Sequence, residues 1–86
     1  MSKRKSFSLL VGKNIRFYRK KLDFTQEKLA AELKTSSEYI SALENGYKNV
    51  KVETLYKIGK VLGVDPQLFL ASSPDRSPDK REEDLP

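Results

Sequence analysis

Ser37, Glu38, Tyr39 and Ala42 fall within one short stretch, TSSEYISALENG, running from Thr35 to Gly46. They offer a hydroxyl, a carboxylate, a phenol and a methyl, groups suited to recognition by hydrogen bonds and close contact. Catalysis asks for more. The chain has no histidine and no cysteine, which removes the commonest general base, the thiolate nucleophile and the usual metal ligands. Its carboxylates and lysines stand in no recognisable catalytic constellation. The expectation is a protein without enzyme activity, metal or cofactor.

The stretch itself reads as about two turns of helix. Ile40 and Leu43 are three apart, as an inward stripe requires, so Ser37, Glu38, Ser41 and Ala42 lie on the other side with Tyr39 at its margin. Ser36 is the preferred N-cap, although Thr35 and Glu38 also have the spacing of a capping box. Gly46 supplies the stop.

The segments around it are helical too. A first helix is expected from about Ser8 to Leu22, with Val11, Ile15, Tyr18 and Leu22 inward. Asp23 tolerates the left-handed backbone of a tight exit. Thr25 can cap a second helix, about Gln26 to Leu33, that buries Leu29, Ala30 and Leu33, and Phe24 with Leu29 has the spacing of a hydrophobic staple. After a loop, Tyr47 to Val50, a fourth helix of about Val52 to Leu62 turns Leu55, Ile58 and Leu62 inward and ends at Gly63. Asp65 and Pro66 then open a short fifth helix, about Pro66 to Ala71. No segment alternates with a period of two, so the expected fold class is all-α, with five helices.

Charge divides the chain. The whole carries +5, but residues 72–86, SSPDRSPDKREEDLP, hold three basic and five acidic residues. Residues 1–71 therefore carry +7, from fourteen basic and seven acidic side chains. A body this basic points to a polyanion, nucleic acid before an anionic membrane surface. The tail, with three prolines and one apolar residue, cannot offset its ordering entropy and is expected to be disordered. The expected division is a basic arm at 1–7 with Lys3, Arg4 and Lys5, a folded domain at 8–71 and a polar tail at 72–86. No apolar run is long enough to span a membrane or serve as a secretory signal. A soluble, cytoplasmic protein with no membrane partner is expected.

Two helices of about eight to ten residues, joined by a turn of about three, form a helix-turn-helix arrangement. Residues 12–70 resemble the phage-repressor and Cro type of helix-turn-helix domain. The resemblance is carried by GKNIRFYRK (Gly12 to Lys20), FTQEKLAAEL (Phe24 to Leu33), SSEYISALENG (Ser36 to Gly46) and the run from Asn49 through ETLYKIGKVLGVDPQLF to Phe69. Within that family, LENGYKNVKVETL (Leu43 to Leu55) together with EYIS is most similar to the controller proteins of restriction–modification systems. Phage-type repressors follow. The resemblance implies a compact lambda-repressor-like domain that binds operator DNA as a two-fold dimer and regulates transcription.

It also implies site residues. Ser37, Glu38 and Ala42 match positions where relatives read bases, and Tyr39 matches a DNA-contacting tyrosine. The side chains fit such roles: a carboxylate accepts from cytosine N4, and a methyl or a ring meets the thymine methyl. Simpler roles stand beside these. Glu38 in a first turn favours the helix dipole by roughly 0.3–1 kcal/mol, and Tyr39 can pack on its own helix. No arginine points from this helix, so the commonest guanine contact is absent and shape and phosphate contacts are expected to carry more of the recognition.

By the same resemblance Gln26 and Asn45 contact phosphates, a role that amide donors near a helix end also suit chemically. Ser36, Lys48, Asn49 and Lys51 are further phosphate candidates. Arg19 and Glu44 match a structural ion pair tying the first helix to the third. Val64, Leu68, Phe69 and Leu70 offer more apolar surface than a short terminal helix needs, so part of it is expected at a homodimer interface. The expected partners are double-stranded DNA, a second copy of the chain and, at a promoter, RNA polymerase. An adaptor that bridges proteins, and an antitoxin whose acidic tail binds a basic partner, are the alternatives.

Overall fold

The computed structural model describes residues 3–72. Four α-helices follow one another: α1, Lys3–Lys21; α2, Gln26–Leu33; α3, Ser37–Glu44; and α4, Val52–Leu62. A 3-10 turn, Pro66–Leu70, closes the described chain. No strand occurs among the described residues. Helix α3 packs on both α1 and α2, while α4 packs on α2, α1 and the 3-10 turn, and that turn packs on α1.

Local signals set most boundaries. The Thr25 hydroxyl accepts from the Lys28 N–H at 3.0 Å, and the Ser36 hydroxyl from the Tyr39 N–H at 3.1 Å. Asp23 leaves α1 with φ 61°, and Gly46 follows α3 with φ 78°. Lys34 also adopts a left-handed conformation, φ 57°, where it ends α2. This is uncommon for a side chain with a Cβ.

Three expectations differ from the structure. Helix α1 begins at Lys3 rather than Ser8, so residues 3–7 of the expected arm continue the helix. No proline or glycine interrupts them, and lysine and arginine are good helix formers. Leu22 is exposed rather than inward. The helix has ended at Lys21, and the Phe24 N–H turns back to the Arg19 carbonyl at 2.9 Å, which carries Leu22 outward.

The expected fifth helix is a 3-10 turn. The Leu68 N–H bonds to the Asp65 carbonyl at 2.9 Å, three residues back. Asn14 then takes the Phe69 and Ala71 carbonyls at 2.7 and 2.8 Å. With those acceptors tied to α1, the five-residue turn is anchored by a side chain instead of by a further helical turn. The expected tail falls outside the described residues beyond Ser72.

The core gathers Val11, Ile15 and Tyr18 from α1, Leu29 and Ala30 from α2, Ile40 and Leu43 from α3, Leu55, Ile58 and Leu62 from α4, and Phe69. Gly12 makes the α1–α3 approach possible. A Cβ there would meet the Leu43 carbonyl oxygen and lie 2.7 Å from that of Glu44.

Candidate nucleic-acid interface

Helix α3 is held from two sides. From inside, Ile40 and Leu43 are fully buried. At its C-terminal end the Glu44 carboxylate is buried and receives the Arg19 guanidinium in two hydrogen bonds, Nε to Oε2 at 2.6 Å and Nη2 to Oε1 at 3.0 Å. Arg19 Nη1 donates to the Phe24 carbonyl at 2.7 Å, and Gln26 Nε2 donates to Glu44 Oε1 at 3.1 Å. The Arg19–Glu44 pair thus joins α1, the α1–α2 turn and the first residue of α2 to the end of α3. Such a paired, charge-assisted arrangement orients as well as binds.

The outer face of α3 is left open. Glu38 is exposed and has no hydrogen-bond or ion-pair partner among the described residues. Ser37 and Ala42 are half-buried. Tyr39 is also half-buried, its ring packed against the core. The ring body thus rests on the core between the helices rather than on its own helix alone.

The phosphate candidates divide by how their donors are used. Gln26 spends one N–H on Glu44 and keeps the other, together with its own backbone N–H at the start of α2. Asn45 is exposed, and its Nδ2 donates to the Ser41 carbonyl at 2.9 Å and the Ser41 hydroxyl at 3.3 Å. A phosphate contact from Asn45 requires releasing one of those N–H groups. The Ser36 hydroxyl oxygen accepts the capping Tyr39 N–H, and its own O–H remains a donor. Lys48, Asn49 and Lys51 are exposed along the loop from Asn45 to Lys51. Asn49 Oδ1 accepts a hydrogen bond from the buried Ser8 hydroxyl of α1.

The expected dimer residues are split by the fold. Phe69 is fully buried in its own chain, edge-on to Tyr18 with ring centroids 5.8 Å apart. It is a core residue of its own chain, with no surface to offer a second copy in this conformation. Val64 and Leu68 pack against the same core, and Leu70 alone of the four is exposed. The exposed apolar surface lies elsewhere. Phe7, Val52, Tyr56 and Leu70 flank a groove of about 540 Å³ between the start of α1, the N-terminal half of α4 and the 3-10 turn. Val52 is 82% exposed. Sequence reasoning missed Phe7, Val52 and Tyr56, although Val52 and Tyr56 are an i, i+4 apolar pair beside the inward stripe of α4. It also missed the buried polar residues Ser8 and Asn14, whose partners are 41 to 57 residues away.

A short helix presented on a rigid helical frame, preceded by a second helix and a tight turn, defines the class: a small transcriptional regulator of the helix-turn-helix type. The chain belongs to the helix-turn-helix family, whose model matches residues 15–69. It is 43% identical over 63 residues to the control protein C.BamHI of Bacillus amyloliquefaciens, covering 72% of this chain and 78% of that one. It is 38% identical over 69 residues to the uncharacterised HTH-type transcriptional regulator y4dJ of Sinorhizobium fredii, covering 80% and 88%. Among solved structures, the restriction–modification controller protein C.AhdI of Aeromonas hydrophila superposes with a TM-score of 0.74 at 22% identity, over 79% of this chain and 99% of that one. That last likeness is one of fold. No helix among the described residues is long and apolar enough to cross a membrane.

Proposed function

We propose that the chain is a sequence-specific DNA-binding regulator of the restriction–modification controller kind, acting as a homodimer on a pseudo-palindromic operator. The observation that carries this reading is the contrast along α3. Its C-terminal end is pinned through Glu44, while its N-terminal outer face, with Ser37, Glu38, Tyr39 and Ala42, lacks the basic side chains that a purely phosphate-binding face would show. A helix offered in this way fits the major groove, where residues near its N-terminus meet base edges. Gln26, Ser36, Asn45, Lys48, Asn49 and Lys51 then supply backbone contacts around the groove, which orient the protein and carry no sequence information.

The second copy docks on the apolar residues of the groove, Phe7, Val52, Tyr56 and Leu70, and leaves clear Ser8 and Asn49, which also line it, in a two-fold contact where each copy offers the same patch. The two α3 helices then sit about 34 Å apart, one turn of DNA. Binding at a promoter blocks or recruits RNA polymerase, so the working protein is cytoplasmic and nucleoid-associated when bound.

Selection of bound sequences from random duplexes, followed by a salt titration on the selected site, tests this. The expected result is a motif with two-fold symmetry and an affinity that falls as salt rises. Recovery of no motif, with equal affinity for all duplexes, overturns it.

A further inference from the structure

We propose that Ser8 is a positioning residue for DNA-backbone contact: its hydroxyl holds the Asn49 side-chain amide by its oxygen and leaves both Nδ2 N–H groups for a phosphate. The proposal rests on the DNA-binding reading above and adds to it a residue of α1 that lies on no recognition element.

Ser8 is only 5% exposed. A serine inside a helix commonly returns its hydroxyl to a carbonyl of its own helix. This one bonds to Asn49 Oδ1, 41 residues further along the chain. An amide oxygen can only accept, so the hydroxyl donates, and Nδ2 is left as the free end of the amide. No acceptor for Nδ2 occurs among the described residues. Asn49 itself is exposed, with exposed lysines at 48 and 51. The result is a row of donors, Lys48, Asn49 and Lys51, on the loop that leaves α3.

The loop is fastened to α1 at a second point. Gly46, with φ 78°, lies against Leu9, where a Cβ would approach the Leu9 Cα to 2.9 Å. Contacts at Leu9 and Ser8, adjacent on α1, therefore fix both the start of the loop and the amide at its middle. Holding a donor in place before binding lowers the ordering cost when a phosphate arrives. Neither Lys48 nor Lys51 has such a tether among the described residues, so Asn49 is the oriented member of the row.

A double-mutant cycle on the full chain tests the proposal, using the selected operator and an unrelated duplex. Ser8→Ala and Asn49→Ala are each expected to weaken both duplexes alike, by about three- to tenfold, as loss of one hydrogen bond to a charged acceptor implies. Base preferences and the salt slope stay unchanged, because no charge is removed. On the Asn49→Ala background, Ser8→Ala causes no further loss. Ser8→Thr keeps the hydroxyl and retains affinity. Asn49→Asp keeps the acceptor for Ser8 but loses the outward donors, and binds more weakly than Asn49→Ala.

Thermal unfolding of each variant is followed in parallel, and binding is compared well below the lowest midpoint. Full additivity of the two losses overturns the proposal, as does a normal affinity in either single variant. Failure of the native chain to prefer any sequence is a different outcome, and overturns the DNA-binding reading with it.

Discussion

Arg19 and Glu44 meet in two parallel hydrogen bonds, 2.6 and 3.0 Å long, with both side chains almost wholly removed from solvent. The pair joins α1 to the last residue of α3, and Gln26 and the Phe24 carbonyl complete it. Buried pairs of this kind contribute orientation more reliably than net stability, because desolvation of two charges offsets much of their attraction.

Removing one partner is therefore expected to be costly. Arg19→Met leaves the Glu44 carboxylate buried with only Gln26 to answer it, and should lower unfolding free energy by about 3–5 kcal/mol. The double variant Arg19→Met with Glu44→Leu should recover a large part of that loss, because no uncompensated charge remains. Urea titration followed by circular dichroism measures both. A double variant less stable than Arg19→Met would show that the pair's own attraction dominates.

Glu38 is exposed and makes no hydrogen bond or ion pair among the described residues. Glu38→Ala should change stability by no more than the dipole contribution of about 0.3–1 kcal/mol. On DNA it should relax preference at one or two symmetric base pairs, at a cost of about 1–3 kcal/mol for the native operator. Repeating the sequence selection with the variant reads this directly. An unaltered motif assigns Glu38 to the helix dipole alone.

The groove face and the core can be separated by two substitutions. Val52 is the first residue of α4, where an acidic side chain favours the helix dipole. On the proposed two-fold contact, the native chain should sediment as a dimer, and Val52→Asp should stay folded and sediment as a monomer at the same concentration. Phe69→Ala, by contrast, empties a fully buried ring site and should cost about 3–5 kcal/mol. Sedimentation velocity and thermal melts on the two variants test the division.

Lys34 ends α2 with φ 57°, a conformation that costs a residue with a Cβ roughly 1–2 kcal/mol. Glycine relieves this but gains about 0.4–1 kcal/mol of freedom in the unfolded chain. Lys34→Gly should therefore stabilise the protein by roughly 0–1.6 kcal/mol. A raised melting midpoint is the expected reading. A lowered one would mean that the lysine stem contributes packing that outweighs the strain.

Burial pushes the Tyr18 hydroxyl above its ordinary value of 10.0. The unfolded chain then loses this proton at lower pH than the folded one. Stability from this group is fully present below pH 10.0 and declines as pH rises from there through the folded-state value. Tyr18→Phe removes that term, so its unfolding free energy should fall less steeply on the alkaline side. Denaturant titrations of the two proteins across that range compare the slopes.

What the sequence by itself determined is what neighbouring residues decide among themselves. The Thr25, Ser36 and Asp65 caps, the left-handed exits at Asp23 and Gly46, and the inward stripes of α2, α3 and α4 depend on side chains within about one helical turn, so periodicity and capping chemistry reveal them. The all-α class and the helix-turn-helix pairing follow from that local record.

The tertiary structure decided which groups meet and which remain available. Leu22 and Phe69 are both large and apolar, yet the turn at Asp23 expels one and the Asn14 clamp seats the other in the core. Val52 and Tyr56 became surface because the α4 stripe was already filled by Leu55, Ile58 and Leu62. Ser8 and Asn14 acquired partners 41 to 57 residues distant, and Gln26 shares Glu44 with Arg19. Such pairings depend on chain crossings that no local pattern encodes. Burial and hydrogen-bond satisfaction are settled only once the helices have packed.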